Sequence, residues 1–168
     1  MKVALIVAVD KQGGIGKNND LPWHMPDDMK FFKTTTTNHI VVMGRKNYES
    51  IPERFRPLPN RENVILSRNS NFTAPNCLVF NSLEACFEHY KEETERIVYI
   101  IGGGEIFKQA LESNQVSEMF ITHINYQFDC DVFFPNFDKN QWEQEVALKH
   151  SQDEKHIADF TIVKYTKK

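Results

Sequence analysis

Apolar residues occupy every position from Val3 to Val9, a run with no polar face. Such a run reads as a central strand covered on both sides. A different pattern follows at Pro26-Asp27-Asp28-Met29-Lys30-Phe31-Phe32, where a proline and two carboxylates precede apolar residues. That order predicts a helix start, because proline suits the first turn and the helix dipole favours acidic groups there. His39 to Met43 and Asn63 to Leu66 read as further strands, and Cys77 to Phe80 as a shorter one. Behind Ser82 as a cap, Leu83, Cys86, Phe87 and Tyr90 recur at helical spacing. Arg96 to Ile101 is another apolar strand, and Ile106, Phe107, Ala110 and Leu111 mark the inner face of the helix after it. Beyond this the pattern is strand-rich: Glu118 to Tyr126, Asp131 to Phe134, Trp142 to His150 and Ile157 to Thr166. The last two read as a hairpin across Gln152 to His156. Alternating strands and helices followed by antiparallel strands predict an α/β fold with a central mixed sheet and helices on its faces.

Composition narrows the class. The 168 residues suit one domain spanning 1–168, and no repeat or linker interrupts them. With 40% hydrophobic and 26% charged residues and a net charge of -3, the chain lacks the clustered basic excess of a nucleic-acid binder. Three cysteines without metal-like spacing suggest a reducing compartment. Six scattered histidines form no zinc signature, so no metal is expected. Asp10-Lys11 cuts short the apolar start, no small-residue cleavage site follows, and no run reaches membrane-spanning length. A cytoplasmic protein without a membrane partner is the expectation. No exposed apolar stripe is evident, so a monomer is expected.

Candidate chemistry gathers at a few positions. Helical spacing puts Asp28 on the face of Phe31 and Phe32, while Asp27 points elsewhere. A carboxylate on an apolar face is costly unless bound and keeps its proton to higher pH; both aspartates could equally be ordinary first-turn caps. Strand Arg96 to Ile101 runs into Gly102-Gly103-Gly104-Glu105 and then a helix, an arrangement that lets backbone N–H groups approach a phosphate. It matches neither G-x-G-x-x-G nor a P-loop, and alone it reads as a tight turn. Two more predicted strands end in Gly44-Arg45-Lys46 and in Ser67-Arg68, groups suited to a phosphate monoester or else to a solvated basic rim. Convergence of these three ends on one crevice favours a dinucleotide carrying an extra phosphate. No acidic residue is placed to hold a free ribose 2′-hydroxyl.

Taken in order, many segments resemble the dihydrofolate reductases of the bacterial chromosomal type. They are Ile6 to Val9, Gly14-Ile15-Gly16, Leu21-Pro22-Trp23, Pro26 to Phe32, Val42 to Arg45, Tyr48 to Ile51, Leu58 to Arg61, Ile101 to Gly104, Thr122 to Ile124, Asp131 and Phe134-Pro135. The likeness covers essentially the whole chain. It implies a dihydrofolate reductase-like fold with a C-terminal antiparallel hairpin. The implied reaction passes a hydride from NADPH to C6 of dihydrofolate and a proton to N5. Antifolates would be expected inhibitors.

The resemblance also implies residue roles. Asp28 would hydrogen-bond the pterin amino group and ring nitrogen, supported by Thr122, with Trp23 completing the catalytic set. Backbone carbonyls of Ile6 and Ile101 would face the pterin, with Val7 beside them, and Ala8 would lie near the nicotinamide. Phe32, Ile51 and Leu58 would wall the pterin and benzoyl rings, and Arg61 would grip the glutamate α-carboxylate. The loop from Gly14 to Trp23, including Ile15 and Gly16, would close over the nicotinamide. The cofactor would run along Gly44, Arg45, Lys46 and Asn47, then Leu66, Ser67 and Arg68. It would continue along Ile101, Gly102, Gly103, Gly104, Glu105, Ile106 and Phe107. A cis peptide is expected between Gly102 and Gly103. Some positions depart from the commoner pattern: Asn47 stands in place of threonine, Phe107 in place of tyrosine, and Glu105 brings negative charge towards the phosphates. Glu53-Arg54-Phe55-Arg56 is an insertion before Leu58. Two rival readings remain open: a reductase of similar fold acting on a riboflavin-pathway pyrimidine, and a cofactor-binding domain without turnover. Asp28 and Arg61 speak against the first, and Asp28, Trp23 and Thr122 against the second.

Overall fold

Residues 1–18 and 20–168 are described by the computed structural model. Asn19, inside the loop expected to close over the nicotinamide, lies outside them. Strand β1 (Lys2–Val9) leads to a short strand β2 (Gly14–Gly16), helix α1 (Pro26–Thr36), strand β3 (Ile40–Gly44) and a short helix α2 (Arg45–Ser50). Then come β4 (Glu62–Leu66), β5 (Leu78–Phe80), α3 (Leu83–Tyr90), β6 (Ile97–Gly102) and α4 (Gly104–Glu112). The chain ends with β7 (Val116–Ile124), β8 (Val132–Phe133), β9 (Trp142–His150) and β10 (Phe160–Lys167).

Eight strands form one sheet in the order β5-β4-β3-β6-β1-β7-β10-β9. Pairing is parallel from β5 through β7 and antiparallel across β7-β10-β9. The expected mixed, mostly parallel sheet and C-terminal hairpin are both present. β1 is buried on both faces, as its unbroken apolar run predicts. Val3, Leu5 and Val9 pack with Leu83 and Phe87 of α3 and Phe107 and Ala110 of α4, whereas Ala4 and Ile6 join Phe31 and Phe32 of α1 on the other face. Ser82 caps α3 as expected, its Oγ accepting from the Ala85 N–H at 3.1 Å.

Three features differ from the pattern-based reading. Asp131 to Phe134 contributes only two strand residues, Val132 and Phe133, and these leave the main sheet to pair with β2. β2 escapes hydrophobic periodicity because it is glycine-rich, and Gly14 is required there: a Cβ would stand 2.5 Å from the Cys130 side chain. β10 starts at Phe160 rather than Ile157, because the connection from β9 loops out and is closed by an Asp153–His156 bridge. The insertion at Glu53–Phe55 forms a 3-10 turn, followed by a cis Arg56–Pro57 peptide.

Candidate active site

Helix α1 delivers Asp28 to the sheet. Pro26 opens the helix, and Phe31 packs edge-on against Phe120 of β7 with ring centroids 5.6 Å apart. Strand alternation then turns Thr122 to the same side as Phe120, and its Oγ1 donates to Asp28 Oδ1 at 2.6 Å. Burial pushes the Asp28 carboxyl above its usual range, while the hydrogen bond from Thr122 acts in the opposite direction. Asp28, Trp23, Met25 and Met29 line a cleft of about 200 Å³ together with the exposed Asp20, Leu21 and His24. Trp23 is itself buried against Phe128, ring centroids 5.0 Å apart.

Asp27 does point away from Asp28, but it is more than a free first-turn carboxylate. His150 Nε2 donates to its Oδ2 at 2.6 Å, and its backbone N–H donates to His156 Nε2 at 3.1 Å. Folding thus gathers two histidines that the sequence scatters, with ring centroids 4.2 Å apart. Asp27, His150 and His156 have donor atoms spaced as a metal site would need. Their facing atoms are already engaged with one another, so we read the group as a hydrogen-bond cluster.

Most of the expected pterin walls come together. Ile6 packs with Phe31, Phe32, Ile51, Leu58 and Ile101 on the α1 face of the sheet. Ala8 lies beside Trp23 and Met25. Val7 does not join them: its side chain packs in the opposite core with Ile15 and Phe134, leaving only its backbone towards the α1 side. Arg61 is half-buried, with its guanidinium carbon 5.8 Å from the Phe32 ring centroid. Its Nε donates to the Pro59 carbonyl at 2.9 Å and its Nη1 to Thr36 Oγ1 at 3.2 Å, and burial lowers its pKa from the usual value.

The three glycine and arginine strand ends converge as expected, because β4, β3 and β6 are parallel neighbours. Gly44 is paired with Leu66, and Met43 with Gly102. Gly102 has φ +125, and a Cβ there would meet Asn47 Nδ2 and the Phe107 ring at 3.3 Å. The Gly102–Gly103 peptide is cis. α4 begins immediately afterwards, with Gly103 as N-cap and no side-chain cap, so its first-turn N–H groups face outward. Asn47 Nδ2 donates to the Ile101 carbonyl at 3.4 Å and ties α2 to β6. Arg45 is held by Glu49 (Nε to Oε1, 3.0 Å) and lies 4.8 Å over the Phe72 ring. Lys46 and Arg68 are exposed, whereas Ser67 and Leu66 are buried. Ile15, Gly16 and Val132 lie across the start of α4, where a Cβ on Gly104 would stand 2.9 Å from Val132 Cγ1. Ile106 is half-buried above Gly44, and Glu105 is exposed and accepts from Gln109. Phe107 is only 2% exposed and packs against Phe134 and Gly102, so its ring belongs to the core rather than to an open cofactor surface.

The family model described as dihydrofolate reductase matches residues 2–167. The chain belongs to the dihydrofolate reductase family. The dihydrofolate reductase of Staphylococcus haemolyticus is 39% identical over 160 residues, covering 95% of this chain and 92% of that protein. That of Bacillus subtilis is 34% identical over 166 residues, covering 99% and 95%. A solved structure of dihydrofolate reductase from Enterococcus faecalis, complexed with NADP(H) and RAB-propyl, matches with a TM-score of 0.89 at 35% identity, covering 99% of this chain and 96% of its own. The family fold agrees with the sheet order and flanking helices described above.

Several organising residues escape sequence reasoning. Arg56 Nη1 donates to the carbonyls of Tyr48, Glu49 and Ile51, closing the end of α2 beside the Ile51 wall. Asp10 is buried and accepts from the N–H groups of Gln12, Gly14 and Phe128, anchoring the loop that carries β2. His150 and His156 act on α1 across more than a hundred residues of sequence. No local pattern marks such contacts.

Proposed function

We propose that this dihydrofolate reductase family member reduces 7,8-dihydrofolate to 5,6,7,8-tetrahydrofolate with NADPH, using Asp28 to hold the pterin. The carrying observation is the half-buried Asp28 carboxylate, fixed by Thr122 at 2.6 Å at the edge of a cleft. A planar pterin edge with an amino group and a ring nitrogen offers two donors to such a carboxylate, an arrangement that favours the protonated substrate. Thr122 orients the carboxylate and leaves its second oxygen to the ligand. Ile6, Phe32, Ile51, Leu58 and Ile101 supply the apolar walls, with the Val7 backbone at the floor. Arg61, positioned by Thr36 and Pro59, provides a planar donor for the glutamate α-carboxylate. A pyrimidine lacking that tail and the pterin amidine would use neither Arg61 nor Asp28.

The residues present fit the cofactor. The uncapped N-terminus of α4 and the side-chain-free Gly102, Gly103 and Gly104 suit a pyrophosphate. Gly44, Asn47, Leu66 and Ile106 shape the crevice, and Arg45, Lys46, Ser67 and Arg68 suit a 2′-phosphate at its outer end. Ala8, Ile15 and Gly16 stand on the nicotinamide side, and Glu105, exposed at the mouth, is given no role with the phosphates. When bound, NADPH supplies the hydride. Trp23 and the loop before it exclude water from that side, and Asp28 maintains the protonated pterin. Antifolates presenting the same donor pair would compete at Asp28.

Among the described residues no helix is long and apolar enough to cross a membrane. We further propose a monomer working in the cytoplasm, a compartment with which its three free cysteines, Cys77, Cys86 and Cys130, agree. Following NADPH absorbance with and without dihydrofolate tests the activity. Oxidation that needs dihydrofolate supports the reading. Oxidation that ignores it, or that needs a pyrimidine instead, overturns it.

A further inference from the structure

We propose that His156 is a positioning residue for Asp28, capping the first turn of α1 from the β9–β10 loop in the tautomer that Asp153 sets. The first N–H groups of any helix lack partners within it. α1 has no cap of its own, because Met25 at the N-cap position has no side chain able to accept. The missing acceptor comes from 129 positions away: His156 Nε2 takes the Asp27 N–H at 3.1 Å. Asp27 directly precedes Asp28, so this bond fixes the backbone from which the Asp28 side chain reaches Thr122.

An imidazole nitrogen can accept only when it carries no proton. Asp153 enforces that state, since its Oδ1 lies 2.7 Å from His156 Nδ1 and as a carboxylate must receive a proton there. Nε2 is left with its lone pair. The two residues are tied further by backbone bonds in both directions, at 3.2 and 3.3 Å. His156 is 2% exposed, so the arrangement is enclosed rather than a surface contact. Facing it are Asp27 Oδ2 at 4.0 Å and the rings of His150 and Phe160 at 4.2 and 5.7 Å. His150 adds a second tie, stacked on Phe160 with rings 2° from parallel while its Nε2 donates to Asp27 Oδ2. The hairpin loop thus serves as an external cap for the helix that carries the pterin-binding acid.

This inference rests on the proposed role of Asp28, so wild-type turnover of dihydrofolate is measured first and decides that role independently. Three variants then test the cap. His156→Phe keeps a ring but loses both nitrogens; His156→Gln restores an acceptor near the Nε2 position; Asp153→Ala, at an exposed residue, frees the tautomer. We expect His156→Phe to lower kcat/KM for dihydrofolate about five- to tenfold while leaving NADPH affinity unchanged. His156→Gln should recover most of that loss, and Asp153→Ala should show a smaller loss in the same direction. A His156→Phe protein as active as wild type would overturn the proposal. So would His156→Gln behaving like His156→Phe, because ring packing would then be the whole effect. If His156→Phe does not fold, Asp153→Ala decides: a folded variant with wild-type kinetics refutes the cap.

Discussion

Replacing Asp28 with asparagine should move activity and stability in opposite directions. The amide oxygen can still accept from Thr122 Oγ1, so shape and the 2.6 Å contact are preserved while the negative charge is lost. Removing one partner from a buried, hydrogen-bonded charge pair costs about 3–5 kcal/mol. Asp28 is half-buried beside an open cleft, so the lower end applies, and about 3 kcal/mol corresponds to a drop in kcat/KM of roughly a hundredfold at neutral pH. Activity of the variant should rise as the medium is acidified, because solvent then supplies the protonated pterin. Stability follows from the raised pKa of the native carboxyl. The folded state binds this proton more tightly than the unfolded chain, so the ionised group weakens the fold at neutral pH. That cost disappears as pH falls through the native pKa. Asparagine carries no charge to desolvate, so the variant should melt at a higher temperature than wild type at neutral pH, with the difference shrinking in acid. The assays are a pH–rate profile of hydride transfer and thermal melts across the same range. Asp27→Asn is the control, since its amide can still accept from His150. If Asp27→Asn were crippled while Asp28→Asn kept wild-type kinetics, the assignment of the pterin-binding acid would be wrong.

Arg45→Gln should weaken NADPH by about ten- to a hundredfold, the worth of one charge-assisted hydrogen bond, and leave NADH nearly unchanged. An equal loss for both cofactors would place this arginine at the pyrophosphate instead. Arg61→Leu should raise the KM for dihydrofolate by about tenfold or more, with little change for a pterin lacking the glutamate tail. Equal loss for both substrates would show that Arg61 acts only through packing on Phe32. Gly14→Ala should cost about 1–3 kcal/mol, because its Cβ would stand 2.5 Å from the Cys130 side chain, and should lower Tm by several degrees. Pairing it with Cys130→Gly, which removes both the Cβ and the Sγ that the new methyl would meet, should recover part of the loss, and no recovery would place the clash elsewhere.

Local physics settled much of this protein within the sequence itself. An unbroken apolar run from Val3 to Val9 suits only a strand covered on both faces, and the period of Leu83, Cys86, Phe87 and Tyr90 behind Ser82 suits only a capped amphipathic helix. Spacing from Asp28 to Phe31 and Phe32 turned one aspartate inward and its neighbour outward, since a helix repeats every 3.6 residues. The cofactor crevice was half legible. Gly44, Ser67 and Gly102 each stood after a predicted strand, but only the order β4-β3-β6 makes those ends adjacent. Strand order depends on long-range pairing, which no window of sequence contains. Phe107 and Val7 show the same limit, because which face of the sheet a side chain meets depends on what packs there. Tertiary structure alone brought β2 to β8, Arg56 to the end of α2, and His150 and His156 to the start of α1. Apart from the β2–β8 pairing, these are contacts of single polar groups with backbone or carboxylate partners, near in sequence for Arg56 and distant for the histidines. They repeat with no period and change no hydrophobic pattern, so the folded chain alone brings them into contact.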